Sequence, residues 1–177
     1  ELLEKSDALL VVSVEEYLKI RKDYGVTRAK AIEVPHLIEE RAVLPRSPNK
    51  KNYVFCPGRI ECRKNQLFLT SVASKLPDIQ FRFMGRVNTS DREFYKKFLE
   101  TASNLPNVEV LPPMPLREFR EFLSSVDTVL TASWFEVTSL IELEALINDV
   151  KLVCSRDSYD DSFFENPLAY RSNDLED

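Results

Sequence analysis

Trp134-Phe135-Glu136-Val137-Thr138-Ser139-Leu140-Ile141-Glu142-Leu143-Glu144-Ala145-Leu146 is the stretch whose reading decides the fold. An apolar, strand-like run at 128–132 precedes it, and the stretch itself opens a helix. Ser139 suits the N-cap, where a side-chain oxygen accepts an otherwise unpaired backbone N–H, and Glu142, three residues on, completes a capping box. That leaves Glu136 on the loop before the helix. It also puts Glu144 in the second turn among Leu140, Leu143 and Ile147, where a charge needs a cation or ligand hydroxyls to offset its desolvation.

Upstream, strand and helix patterns alternate. Strands are expected at 53–56, 79–84, 108–111, 128–132 and 151–154, and helices at 64–75, 91–102 and 116–124 besides the one after Ser139. The aromatics of the second helix, Phe94, Tyr95, Phe98 and Leu99 beside them, recur at helical spacing and read as a core stripe. Five strands alternating with helices imply an α/β fold with a Rossmann-like, doubly wound parallel sheet. Ligands of such sheets bind at the carboxyl ends of the strands. The loop after Cys56, the turn after Leu111 and the loop after Ala132 all fall at that edge.

The first part of the chain is shorter in pattern. A strand near 8–12 leads into a helix over 14–23, with Ser13 and Glu16 as another capping box and Gly25 as its stop, followed by a short strand at 30–34. From 35 to 52 the chain carries Pro35, Pro45, Pro48 and its single histidine, His36, and reads as a linker. Near the end, Phe163 and Phe164 suggest one packed helical turn.

Composition narrows the function classes. With 177 residues, 44% hydrophobic and 30% charged, the chain has material for one folded domain plus an accessory segment. A net charge of −5 argues against nucleic acid as a partner, and any anion site must be a local patch. No apolar run is long enough for a membrane span and no signal-peptide pattern opens the chain, so a cytoplasmic protein is expected. Cys56, Cys62 and Cys154 form no metal-binding pair, and Cys56 and Cys154 lie in apolar runs that suit buried thiols.

One local patch does exist. Gly58-Arg59-Ile60-Glu61-Cys62-Arg63-Lys64 places three cations between a strand end and a helix start. Arginine forks and a mobile lysine suit phosphate oxygens, and a helix N-terminus adds amides. The run is neither a Walker loop nor a G-x-G-x-x-G fingerprint, and with glycine only at 25, 58 and 85 a glycine-cradled dinucleotide is not expected.

Taken together, Gly58-Arg59 with Lys64 five residues after the arginine, and Glu136 and Glu144 in E-x7-E followed by Ala145, resemble the two signatures of the retaining glycosyltransferases of the GT-B fold, group 1 (family 4). The order is also similar: residues 107–111 resemble the strand before that family's base-contacting turn, and Ser133-Trp134-Phe135-Glu136 the run before its first acid. The resemblance implies that 53–177 is the C-terminal, nucleotide-sugar-binding half of a GT-B fold, and that 1–52 is the end of an N-terminal domain with its hinge. It implies a hexosyltransferase of polysaccharide biosynthesis, working from a nucleoside-diphosphate sugar with retention. It further implies a saccharide or lipid-linked acceptor bound by a missing N-terminal domain, and a full-length protein expected to make peripheral contact at the inner face of the membrane. Isolated from that domain, the fragment is expected to be inactive.

By the same resemblance Arg59 and Lys64 hold the donor diphosphate beside Gly58 and take the place of a metal, so that no metal or other cofactor is needed. Glu136 binds the donor sugar and is, with Arg59 and Lys64, catalytic; Glu144 binds ribose, the amides at Ser139 and Leu140 bind phosphate, and the turn 112–114 with Met114 lines the base. The chain departs from the family pattern where glycines are usual: Val137 and Ser139 follow Glu136, Asn65 follows Lys64, and Asn148-Asp149 closes the helix after Glu144. Glycine permits close backbone approach to a ligand. These losses motivate an alternative, a catalytically weakened glycosyltransferase-like nucleotide-binding or scaffold module.

Overall fold

The computed structural model describes residues 3–26, 28–34, 44–45, 51–136, 139–155 and 169–171. His36, Val137, Thr138, Phe163 and Phe164, on which sequence-based expectations fell, lie outside them. The chain divides into two compact units, Glu1–Ile38 and Glu39–Asp177.

The first unit pairs β1 (Ala8–Val11) in parallel with β2 (Lys30–Glu33), joined through helix α1 (Val14–Tyr24). Ser13 caps α1 by accepting from the Glu16 N–H at 3.2 Å, while the Glu16 carboxylate accepts from the Val12 N–H at 2.8 Å. Gly25 stops the helix in the left-handed region, at φ 65°. Leu9, Val11, Val26 and Ala29 form the small core of this unit.

The second unit is built on strands β3 (Lys51–Pro57), β4 (Gln80–Met84), β5 (Val108–Leu111), β6 (Val126–Leu130), β7 (Lys151–Cys154) and β8 (Ala169–Arg171), with helices α2 (Gln66–Lys75), α3 (Arg92–Ser103), α4 (Leu116–Ser125) and α5 (Leu140–Ile147). The sheet order is β5-β4-β3-β6-β7-β8 and every pairing is parallel. All five expected strands are present, and β8 adds a sixth that its short sequence did not announce. Strand β3 begins at Lys51, two residues inside the stretch read as linker.

Helices cover both faces, as an all-parallel sheet requires. One core joins Leu69 and Ala73 of α2 and Phe98 and Ala102 of α3 to Phe81 and Phe83 of β4. The other joins Phe119 and Leu123 of α4 and Ala145 of α5 to Phe55, Val129 and Leu152 on the strands. Each fully buried phenylalanine contributes about 1.5–3 kcal/mol through apolar burial, so the strands are anchored well below the edge where the loops emerge. Cys56 and Cys154 are buried as expected and Cys62 is exposed. Burial pushes the Cys56 thiol far above its ordinary pKa, which keeps it protonated.

From β3 the chain proceeds outward to β4 and β5, then returns to the other side of β3 for β6 and continues to β7 and β8. The direction of winding therefore reverses between β3 and β6. The loops leaving these two strands diverge onto opposite faces, and the crevice between them is where open α/β sheets bind ligands.

Candidate functional site

The loop after β3 is shaped by two glycines. Gly58 has φ 143°, and a Cβ added to Gly85 would stand 1.8 Å from the Gly58 carbonyl oxygen, so the chains leaving β3 and β4 touch backbone to backbone. They continue as a short pairing, with Gly58 N–H donating to Met84 O (3.0 Å), Ile60 N–H to Arg86 O (2.9 Å) and Asn88 N–H to Ile60 O (3.1 Å). A Cβ on Gly58 would lie 3.7 Å from Lys64 Cδ, so the lysine stem runs directly over this turn.

The helix expected from Lys64 starts later. Cys62–Lys64 form a 3-10 turn, and Asn65 (φ 53°) breaks it before α2 begins at Gln66. The left-handed conformation is what glycine would supply here, and asparagine is among the side chains that adopt it at least cost. Asn65 thus meets the backbone requirement that made its replacement of glycine look like a departure. At the far end of α5 the left-handed residue is Asp149 (φ 54°) rather than Asn148. Asn148 instead uses its side chain, donating to Glu144 O at 2.7 Å and accepting from Leu44 N–H at 2.8 Å.

The loop after β6 carries Glu136 against the loop after β3. Its carboxylate Oε1 accepts from Arg63 Nη1 at 2.9 Å and from the Lys64 ammonium. Glu136 and Lys64 side chains retain 9% and 15% of their exposure, so this contact is substantially shielded from water. Burial opposes ionisation of Glu136, but Lys64, with Arg63, overrides it and holds the carboxyl below its usual pKa. At neutral pH the site is an anion set between two cations.

Arg59 stands apart from this pair. Its side chain is 62% exposed, with Nη1 3.5 Å from the buried carboxylate of Glu61. Glu144 also belongs to a separate cluster, its Oε1 3.4 Å from Arg120 Nη2 of α4. Ser139 is the N-cap of α5 and is buried, and Leu140, the first helical residue, is half exposed. Met114 packs on the α4–α5 side of the sheet together with Leu111 and Ile141.

The capping box at Ser139 does not form. The Ser139 side chain makes no cap bond, and Glu142 is 1% exposed, accepting from Thr131 Oγ1 at 2.6 Å. Glu142 is thus the acid turned deepest into the body of the protein, on the same face as Ala145, while Glu144, its side chain 12% exposed, finds in Arg120 the cation that its surroundings require. Sequence reasoning missed Arg120, and it named Arg63 and Glu61 only as members of the charged loop. Arg63 and Glu61 stood in the cationic run, but the family resemblance singled out only Arg59 and Lys64.

Among the described residues no group of three His, Cys, Asp or Glu side chains is placed to hold a metal ion. Nor is any described helix long and apolar enough to cross a membrane.

Comparison with known proteins gives this geometry a setting. The fold superposes on sucrose-phosphate synthase from Thermosynechococcus elongatus (TM-score 0.82, 18% identity, 99% of this chain and 48% of that one). It superposes as well on a glycosyltransferase from Rickettsia africae ESF-5 (0.79, 14%, 98% and 51%) and on Anabaena HepE in complex with UDP and glucose (0.79, 12%, 96% and 50%). These likenesses establish the Rossmann-like fold seen in GT-B enzymes, and the chain spans about half the length of each. No curated protein sequence matches the chain. The family model for glycosyl transferases group 1 matches residues 39–162, which include both loops that meet at Glu136, and the chain belongs to that family.

Proposed function

We propose that residues 53–177 bind a nucleoside-diphosphate sugar and serve its transfer, with retention, to a saccharide or lipid-linked acceptor. Residues 1–52 belong on this reading to the acceptor-side domain and hinge. The observation that carries the proposal is the meeting of Lys64, Arg63 and Glu136 at the reversal between β3 and β6. HepE, a structure of the same fold, is in complex with UDP and glucose.

In the proposed reaction the bond between the anomeric carbon and the phosphate oxygen breaks, and its electron pair stays with the nucleoside diphosphate. Lys64 and Arg59 stabilise that charge in the role a metal ion would otherwise take. The acceptor hydroxyl adds to the same face of the anomeric carbon and passes its proton to the departing diphosphate oxygen, leaving the glycoside and the nucleoside diphosphate as products. Glu136, kept ionised by its neighbours, accepts hydrogen bonds from the sugar hydroxyls. Glu144 holds the ribose, the amides at Ser139 and Leu140 meet the phosphates, and Met114 lines the base.

The test is thermal unfolding with UDP, GDP and ADP. A ligand at about 100 times its Kd stabilises by roughly 2.7 kcal/mol. One of the three should raise the melting temperature, and Arg59→Ala or Lys64→Ala should remove the shift. Unchanged melting of the folded chain at millimolar concentrations of all three would refute the proposal.

A further inference from the structure

Arg63 is bonded to three successive residues of the loop that carries Glu136. Its carbonyl oxygen accepts from Trp134 N–H at 2.9 Å, and its Nη1 donates to Phe135 O at 2.8 Å and to Glu136 Oε1 at 2.9 Å. The other edge of the guanidinium donates from Nε and Nη2 to Glu61 Oε1, at 3.2 and 3.0 Å. Four of the five N–H donors of an arginine are thereby engaged within the protein.

Glu61 is fixed in its turn. It is 5% exposed, and its Oε2 accepts from Asn88 Nδ2 at 3.0 Å, on the loop after β4. Gln66 ties the same turn from behind, accepting from Glu61 N–H at 3.4 Å and donating to Arg59 O at 2.8 Å. A continuous line of hydrogen bonds therefore runs from the β4 loop through Glu61 and Arg63 to the Glu136 carboxylate. Lys64 differs: its ammonium sits on a flexible stem, and an ammonium reorients toward a new anion far more readily than a guanidinium clamped at both edges.

We propose that Arg63, clamped by buried Glu61, is a positioning residue that aims the Glu136 carboxylate at the sugar of a nucleoside-diphosphate sugar and does not itself bind the diphosphate. The inference rests on the donor-site reading above. It assigns the two neighbouring cations different work: Lys64 turns to the phosphates, and Arg63 stays with the protein and keeps Glu136 in place once Lys64 has turned away.

The experiment is calorimetry on this chain with UDP, GDP and ADP against UDP-glucose, GDP-mannose and ADP-glucose. For the base that binds, the sugar nucleotide should bind wild type more tightly than the bare diphosphate. Arg63→Gln should reduce that sugar-dependent gain roughly tenfold, the size of a lost hydrogen bond to a charged group, with diphosphate affinity little changed. Glu61→Gln should act in the same direction, Arg63→Lys should recover only part of the gain, and Lys64→Ala should weaken both ligands together. Because Arg63→Gln leaves Glu61 buried without its main partner, the Glu61→Gln/Arg63→Met double variant, which removes both charges, serves as the folded control and should also lose the gain. Equal weakening of diphosphate and sugar nucleotide in the Arg63 variants, or no change in either, would overturn this inference alone. No binding of any nucleotide by wild type would overturn the donor-site reading and this inference with it.

Discussion

Gly58 and Gly85 are in backbone contact: a Cβ on Gly85 would stand 1.8 Å from the Gly58 carbonyl oxygen and 2.6 Å from its carbonyl carbon. The obstacle is main chain inside a paired turn, so it cannot rotate aside as a side-chain tip would. Gly85→Ala must push the β3 and β4 loops apart, and overpacking of this kind costs about 1–3 kcal/mol or more. Denaturant unfolding of Gly85→Ala should show a loss at or above the upper part of that range. A change below half a kcal/mol would mean that the two loops are not held together as described.

Asn65 makes the opposite case. Its φ of 53° lies where glycine rests without strain and asparagine at small cost. Asn65→Gly should leave stability within about half a kcal/mol, whereas Asn65→Ala should lose about 1 kcal/mol from left-handed strain. Equal stability of the two variants in urea would contradict the assignment of strain to this position.

These two positions also show what the sequence made legible. The alternation of strand and helix, the parallel winding and the placing of both charged loops at one edge all followed from periodicity and turn residues. Burial did not. Ser13-x-x-Glu16 and Ser139-x-x-Glu142 carry the same capping signature, yet only the first forms, because Glu142 lies on the face of α5 that meets the sheet and Thr131 captures its carboxylate. Arg63 reads in the sequence only as one of three cations suited to phosphate, and its separate role is hidden for a related reason. Its importance comes from contacts with Phe135 and Glu136, more than seventy positions away in the chain, which no local pattern encodes. Strand β8 spans three residues, too few to show a period.

Thr131 and Glu142 yield a prediction about that buried acid. Thr131 Oγ1 donates at 2.6 Å to a carboxylate that is 1% exposed. Thr131→Val keeps the shape of the side chain and deletes the donor, leaving a buried acceptor short of a partner at a cost of about 1–3 kcal/mol. Thr131→Ser keeps the hydroxyl and should lose distinctly less. Chemical denaturation of the two variants measures the difference, and a valine variant as stable as the serine one would show that the bond contributes nothing net.

Asn107 offers a test of how the sheet's outer edge is held. Its Nδ2 donates to Ala73 O, Leu76 O and Ile79 O at 2.9–3.0 Å, tying the end of α2 and the start of β4 to the residue before β5. The side chain is 2% exposed, so water cannot replace these bonds without local opening. Asn107→Ala should cost about 1–3 kcal/mol and raise amide exchange first at Ile79 and Phe81, whose strand start it pins. Exchange unchanged there, with the loss spread evenly over the fold, would argue against a local clamp.

Glu136 gives the site a pH signature. Its carboxyl is held below the ordinary value of 4.5, burial opposing and Lys64 with Arg63 prevailing. A carboxyl whose pKa is lower folded than unfolded stabilises the fold fully above the unfolded value, and this contribution disappears as pH falls through the folded one. Wild type should therefore exceed Glu136→Gln in melting temperature at pH 7, and the gap should begin to close as pH falls below about 4.5 and disappear once pH has passed below the lowered folded-state value. Salt should narrow the gap only modestly, since the Glu136 and Lys64 side chains are 9% and 15% exposed and such a pair is poorly screened. A gap that stayed constant from pH 7 to pH 3 would show that the loss in the glutamine variant comes from packing and not from the charge that faces Lys64 and Arg63.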